Sequence, residues 1–186
     1  MIVLAMGILG VNISWGQKPS LTQKAQFALD YFLNQDCAVG EKHSALDLLI
    51  EANSQASGGI ESALRDLLLL GPPSEYLSHL KEGLERNWAD RQAFLAKGKN
   101  LGLTDIEVKQ LQAEPKDVYV DRNLMRYKAS RRRGAIIGLT AIGSDTAHAA
   151  LAGARRAGDA KTQAVIDAAM KNPNSSAVKP MPRRGN

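Results

Sequence analysis

Residues 131–170, RRRGAIIGLTAIGSDTAHAALAGARRAGDAKTQAVIDAAM, restrict the fold more than any other stretch. Small and aliphatic residues recur here at helical spacing, and two tight breaks, Gly143-Ser144-Asp145 and Gly158-Asp159, divide the run. Three short helices fit around those breaks, over 131–142, 145–156 and 159–171. No segment of the chain sustains the two-residue alternation of a half-buried strand, so the expected class is all-α.

The same periodicity extends toward the N-terminus. Leu21, Ala25, Ala28, Leu29, Phe32 and Leu33 mark an amphipathic helix over 21–35 with Ser20 as its expected N-cap. Ala45, Leu46, Leu48, Leu49, Ile50 and Ala52 mark a second helix, 43–53, and a loop at 54–59 precedes a third, 60–70. Leu67 to Leu70 make that third helix apolar on every side, the pattern of a central helix covered on both faces. Gly71-Pro72-Pro73 stops it and Ser74 is placed to cap a long helix over 74–97, striped by Tyr76, Leu77, Leu80, Leu84, Trp88, Phe94 and Leu95. Thr104 and Glu107 have capping-box spacing for a short helix. Pro115 opens a segment containing Val118, Val120, Leu124, Met125 and Tyr127.

With aromatics at only 5% of residues, the core must be built from Leu, Ala, Ile and Val, which suits close helix packing better than a sheet sandwich. Residues 17–171 are expected to form one domain, and 172–186, rich in Pro, Ser and Asn with Lys179, Arg183 and Arg184, a disordered basic tail. Charge is divided along the chain: 17–114 carries 10 Lys/Arg against 14 Asp/Glu, and 115–186 carries 14 against 5. An acidic front and a basic back permit head-to-tail self-association or docking of an acidic partner.

Residues 1–16, MIVLAMGILGVNISWG, read as a secretory signal with cleavage before Gln17, since Ser14 and Gly16 are the small residues such a site needs. That places the protein outside the cytoplasm, secreted or periplasmic. No Lys or Arg precedes the apolar run, so a buried first helix or strand in a cytoplasmic protein, or a retained anchor, stays open; the run is short of the ~20 residues of a spanning helix. The single cysteine, Cys37, excludes an intramolecular disulfide.

Short helices also recur in pairs. Helices 60–70 and 74–84 flank Gly71-Pro72-Pro73, helices 131–142 and 145–156 flank Gly143-Ser144, and 43–53 is placed to pair with 21–35. Arg131-Arg132-Arg133, Ala135, Ile136, Leu139, Ile142-Gly143, Ala147 and Leu151, followed by Asp159, Ala164, Val165 and Ala168-Ala169, resemble HEAT-type helical repeats. The resemblance implies antiparallel helix pairs stacked into an α-solenoid and a scaffold or adaptor role. An irregular helical bundle with an Ala-rich last layer remains the alternative architecture.

The arginines of the basic half are the candidate binding surface. If their segment is one helix, Arg122, Arg126 and Arg133 fall within about 40° of one another at ~100° per residue. Arg131 and Arg132 add to them, and Arg155-Arg156 lie one helix further on. Guanidinium groups so gathered can grip carboxylate or phosphate bidentately; the same charges also read as a solvated face. No evident carboxylate partner stands in sequence for Arg131-Arg132-Arg133 with Arg155-Arg156. Tyr119 and Tyr127 are the only aromatics near them, few for a nucleic-acid surface. Asp36, Cys37, Glu41 and His43 fit no zinc signature, and no metal or cofactor is expected. His79 and His148 read as helix-surface or interface residues, and Trp88, Phe94 and Leu95 as core. No catalytic motif of the hydrolase, metalloprotease or nucleotide-binding kinds is present. The expected function is therefore non-enzymatic binding of another protein. The alternatives are a nucleic-acid or other polyanion binder using the basic half, and an enzyme on a HEAT-like scaffold, of the lyase or glycosylase type.

Overall fold

The computed structural model describes residues 21–34, 39–97 and 102–171, with side chains from Ser44 onward in the second of these segments. The signal-like segment 1–16, the Asp36, Cys37, Glu41 and His43 group, and the basic tail lie outside the described residues or side chains. Among the described residues the chain is all-helical: α1 (Gln23–Asn34), α2 (Val39–Gln55), α3 (Gly59–Leu69), α4 (Ser74–Ala96), α5 (Asp105–Ala113), α6 (Lys116–Ile142), α7 (Asp145–Ala157) and α8 (Ala160–Lys171). Most bounds fall within a few residues of those that periodicity predicts.

Two capping expectations change. Thr22, not Ser20, takes the cap position of α1, its hydroxyl accepting from the Ala25 amide at 3.3 Å. Ser74 is the first residue of α4 and makes no side-chain cap; Pro73 is the N-cap, and its carbonyl already accepts from Leu77 N at 3.1 Å. The Thr104–Glu107 capping box forms in both directions, with Glu107 N on Thr104 Oγ1 at 3.3 Å and Thr104 N on Glu107 Oε2 at 2.8 Å. Ser144 and Asp159 open α7 and α8 in the same way, accepting from Ala147 N at 3.0 Å and Thr162 N at 2.8 Å.

The segments expected to begin at 115 and 131 are one 27-residue helix, α6. Neither Gly nor Pro separates Tyr127 from Arg131, so nothing local stops the helix there. Two compact units divide the chain, and the division falls inside α6: one holds Pro72–Lys128, the other Lys18–Gly71 with Ala129–Asn186.

The two-segment unit contains the larger core. Leu29, Leu49, Ile60, Leu64, Leu67, Ile136, Leu139, Leu151 and Ile166, the largest fully buried side chains, all belong to it. In this unit α1 packs on α2, α3 touches α1, α2 and α7, and α7 lies against α8. Close approach depends on glycine. A Cβ at Gly138 would lie 2.8 Å from Leu64 Cδ1 and 3.2 Å from both Leu49 Cδ2 and Phe32 Cε1, and one at Gly134 would lie 2.9 Å from Leu33 Cδ2. The unsubstituted face of α6 thus admits side chains from α1, α2 and α3 at once. α7 buries Ala147, Ala150, Leu151 and Ala154, a narrow stripe of mostly small residues that keeps helix axes close. The all-round burial expected for the end of α3 does not occur: Leu67 and Leu68 are buried, whereas Leu69 and Leu70 are 52% and 80% exposed. Gly71 takes a left-handed conformation (φ +78°) directly after them, ending the helix with those two side chains outside the core.

Among the described residues of the Pro72–Lys128 unit only Leu84, Leu95 and Val120 are buried. Polar contacts, described next, join its helices.

Candidate functional site

The seven candidate arginines fall in two units, Arg122 and Arg126 in one and Arg131, Arg132, Arg133, Arg155 and Arg156 in the other. In the Pro72–Lys128 unit the centre is Glu114, in the turn between α5 and α6. Its side chain is only 11% exposed. Oε2 accepts from Arg91 Nη2 at 2.9 Å, and Oε1 accepts from Arg122 Nη1. Burial by itself would raise the Glu114 pKa; the hydrogen bonds and charges of Arg122 and Arg91 outweigh it and hold the carboxyl below the ordinary value. Both guanidiniums lie over the Tyr119 ring, at 4.5 Å for Arg91 and 5.7 Å for Arg122.

The main chain around Glu114 is held from α4. Trp88 Nε1 donates to the Glu114 carbonyl at 3.1 Å, and Gln92 Nε2 donates to the Leu111 carbonyl at 2.9 Å. Leu111 is in the last turn of α5, whose final carbonyls have no partner within the helix. Trp88, Arg91 and Gln92 stand at i, i+3 and i+4, one face of α4, so a single helix face fastens the turn. An open groove of about 510 Å³ runs beside them, lined by Glu82, Glu85, Arg86, Trp88, Ala89 and Lys116. Trp88 and Phe94 are half-buried and Leu95 is buried, so the expected core group is here partly a hydrogen-bonding group. The Glu114 centre was not legible as such; the i, i+3, i+4 spacing of Trp88, Arg91 and Gln92 is the trace of it in sequence.

In the two-segment unit, Arg131 is half-buried and donates to Asn34 Oδ1 at the end of α1. Arg133 is half-buried and Arg132 is exposed. Arg155 grips Asp167 with two bonds, Nε to Oδ1 at 2.6 Å and Nη2 to Oδ2 at 3.3 Å. That contact lowers the Asp167 pKa, chiefly through the hydrogen bond. Asp159 is lowered by hydrogen bonds from Thr162 and, more weakly, by the charge of Arg132. The expectation that Arg131-Arg132-Arg133 and Arg155-Arg156 gather without carboxylates is thus corrected at Arg155, to which the fold brings Asp167; Arg122 likewise meets Glu114. Among the described residues, no hydrogen bond or ion pair engages Arg126 or Arg156, and both are exposed. His79 and His148 are exposed on α4 and α7.

Among the described residues no three His, Cys, Asp or Glu side chains stand where they could hold a metal ion, and no helix is long and apolar enough to cross a membrane. No family model, curated protein or solved structure matches this chain. The chemistry of the site therefore rests on its side chains alone. The Glu114 cluster is an internal fastening in which the carboxylate accepts from both guanidiniums, while the buried Nε of Arg91 and that of Arg122 have no hydrogen-bond partner among the described residues. Arg132 and Arg156 instead extend into solvent, Arg156 in the last turn of α7 where the helix dipole favours a cation.

Proposed function

We propose that the protein is an exported, non-enzymatic helical scaffold that binds another protein, with Arg132 and Arg156 as part of the contact surface. The stacked helix pairs of HEAT-type repeats are the architecture this reading assumes. The neighbouring pairs α1–α2 and α7–α8, with α3 touching both α2 and α7, support it. The observation that carries the reading is the uneven engagement of the arginines in the two-segment unit: Arg155 is held by Asp167 and Arg131 by Asn34, while Arg132 and Arg156 remain exposed. Exposed guanidiniums on a rigid helical surface are well suited to bidentate recognition of a partner's carboxylates.

The test is photo-cross-linking in the native cell from a reactive residue placed at Ala160, four positions after Arg156 and next to Asp159, whose carboxyl feels the charge of Arg132. The reading expects a discrete protein adduct that disappears in the R132E/R156E variant. Adducts to nucleic acid, or no adduct sensitive to the two arginines, would overturn it. N-terminal sequencing of the native protein tests export: a start at Gln17 supports it, and an intact Met1 overturns it.

A further inference from the structure

Helices α1 and α2 of this unit carry an acidic and aromatic surface. On α1, Phe27 and Tyr31 stack with ring centroids 5.9 Å apart and planes 8° from parallel, and Phe27 is 62% exposed. Lys24, one turn before Phe27, reaches Glu51 and Gln55 near the end of α2, each at 3.1 Å, which sets an antiparallel register between the two helices. The stacked pair therefore lies along the outer side of α1, next to α2, with Asp30, Asp47 and Glu51 on the same two helices and Asp47 exposed. Glu51 is paired with Lys24 and Asp30 accepts from Gln26, which leaves Asp47 as the exposed carboxylate among the described side chains of these two helices. An exposed aromatic pair with such a carboxylate on the neighbouring helix suits guanidinium, the ring faces supplying cation–π attraction and the carboxylate charge.

The complementary surface is in the same unit. Helices α1 to α3 carry three Lys/Arg against six Asp/Glu, whereas 129–171 carries seven against three. Of those three carboxylates, Asp159 caps α8 and Asp167 is held by Arg155, so the surplus positive charge of Arg132, Arg156 and Lys161 is exposed and uncompensated by hydrogen-bonded partners. We infer that the acidic aromatic face of α1 and α2 receives the exposed cations Arg132 of α6, Arg156 of α7 and Lys161 of α8 from a second copy of this chain. The inference rests on the reading above that those arginines meet a protein surface. Each copy presents both faces, so association is concentration-dependent and builds dimers or longer assemblies according to whether the contact closes. Because exposed charges contribute to it, salt weakens it.

Sedimentation velocity of the full chain, across a concentration series at low and high salt, is the experiment. Wild type is expected to sediment faster as concentration rises, less so in high salt. F27S, D47K and R132E/R156E are each expected to remain monomeric, with at least tenfold weaker association. An equimolar mixture of D47K, which keeps the arginine face, with R132E/R156E, which keeps the aromatic face, is expected to restore a two-chain species and nothing larger. A monomeric wild type, unchanged association in F27S, or a mixture that fails to associate would each overturn the inference. A wild type that stays monomeric yet still forms the arginine-dependent cross-link at Ala160 removes self-association alone; loss of both removes the reading beneath it.

Discussion

Arg91 Nη2 donates to Glu114 Oε2 at 2.9 Å, and this contact fastens α4 to the turn between α5 and α6. The two residues are 23 positions apart, and Arg122 completes the carboxylate from the far side. In a unit with three buried apolar side chains among its described residues, such a centre has a larger share of the stability than it would in a thick core. Replacing Glu114 with Gln leaves two guanidiniums facing each other without an anion. The expected cost is about 1–3 kcal/mol, measured by urea denaturation, with R122Q costing less because Arg122 is the more exposed partner.

The pH dependence follows from the same carboxyl. Its folded pKa is depressed, so its contribution is present above the unfolded-state value and is lost as pH falls through the folded one. Denaturation midpoints of wild type should therefore drop on acidification below the ordinary carboxylate range. E114Q should show a shallower drop over that window, the remainder coming from Asp159, Asp167 and Glu51, whose values are also lowered. Parallel slopes in the two proteins would show that Glu114 is not a source of the dependence.

Two helical glycines should respond in opposite directions to the same substitution. Gly138→Ala places a Cβ 2.8 Å from Leu64 Cδ1 and should destabilise by about 1–3 kcal/mol through overpacking. Gly83→Ala in α4 meets nothing within 4 Å and should stabilise by about 0.5–1 kcal/mol, since alanine restricts the unfolded chain and favours the helix. Thermal denaturation followed by far-UV circular dichroism separates the two.

The capping assignments make a similar contrast. Ser144→Ala removes the acceptor for the Ala147 amide and should cost about 1 kcal/mol. Ser74→Ala should be close to neutral, because Ser74 is inside α4 and caps nothing. A substantial loss at Ser74 would return the cap to the residue that sequence alone suggests.

Hydrogen exchange should distinguish the two units. Amides of α5, and of α6 from Lys116 to Lys128, should open at lower free energy than those of α3 and α7, which line the larger core. Mass spectrometry of exchanged peptides reads this directly, and equal protection in both sets would contradict it.

What the sequence determined by itself is the helical character of the chain, the approximate place of each helix, and the Thr104–Glu107 capping box. These depend on interactions within about four residues: a hydroxyl and the amide three positions on, a glycine after the last turn, an apolar side chain each turn. The tertiary structure decided the rest. It made one helix of the residues from Lys116 to Ile142, whose first and second parts give their apolar side chains to different units. It left Leu69 and Leu70 outside, let Gly138 admit three neighbours, and supplied Glu114 to Arg122 and Asp167 to Arg155. Arg131 and Asn34 meet across 97 positions. Burial and ion pairing at such separations are set by which helix faces come together, and a local pattern of residues does not contain that information.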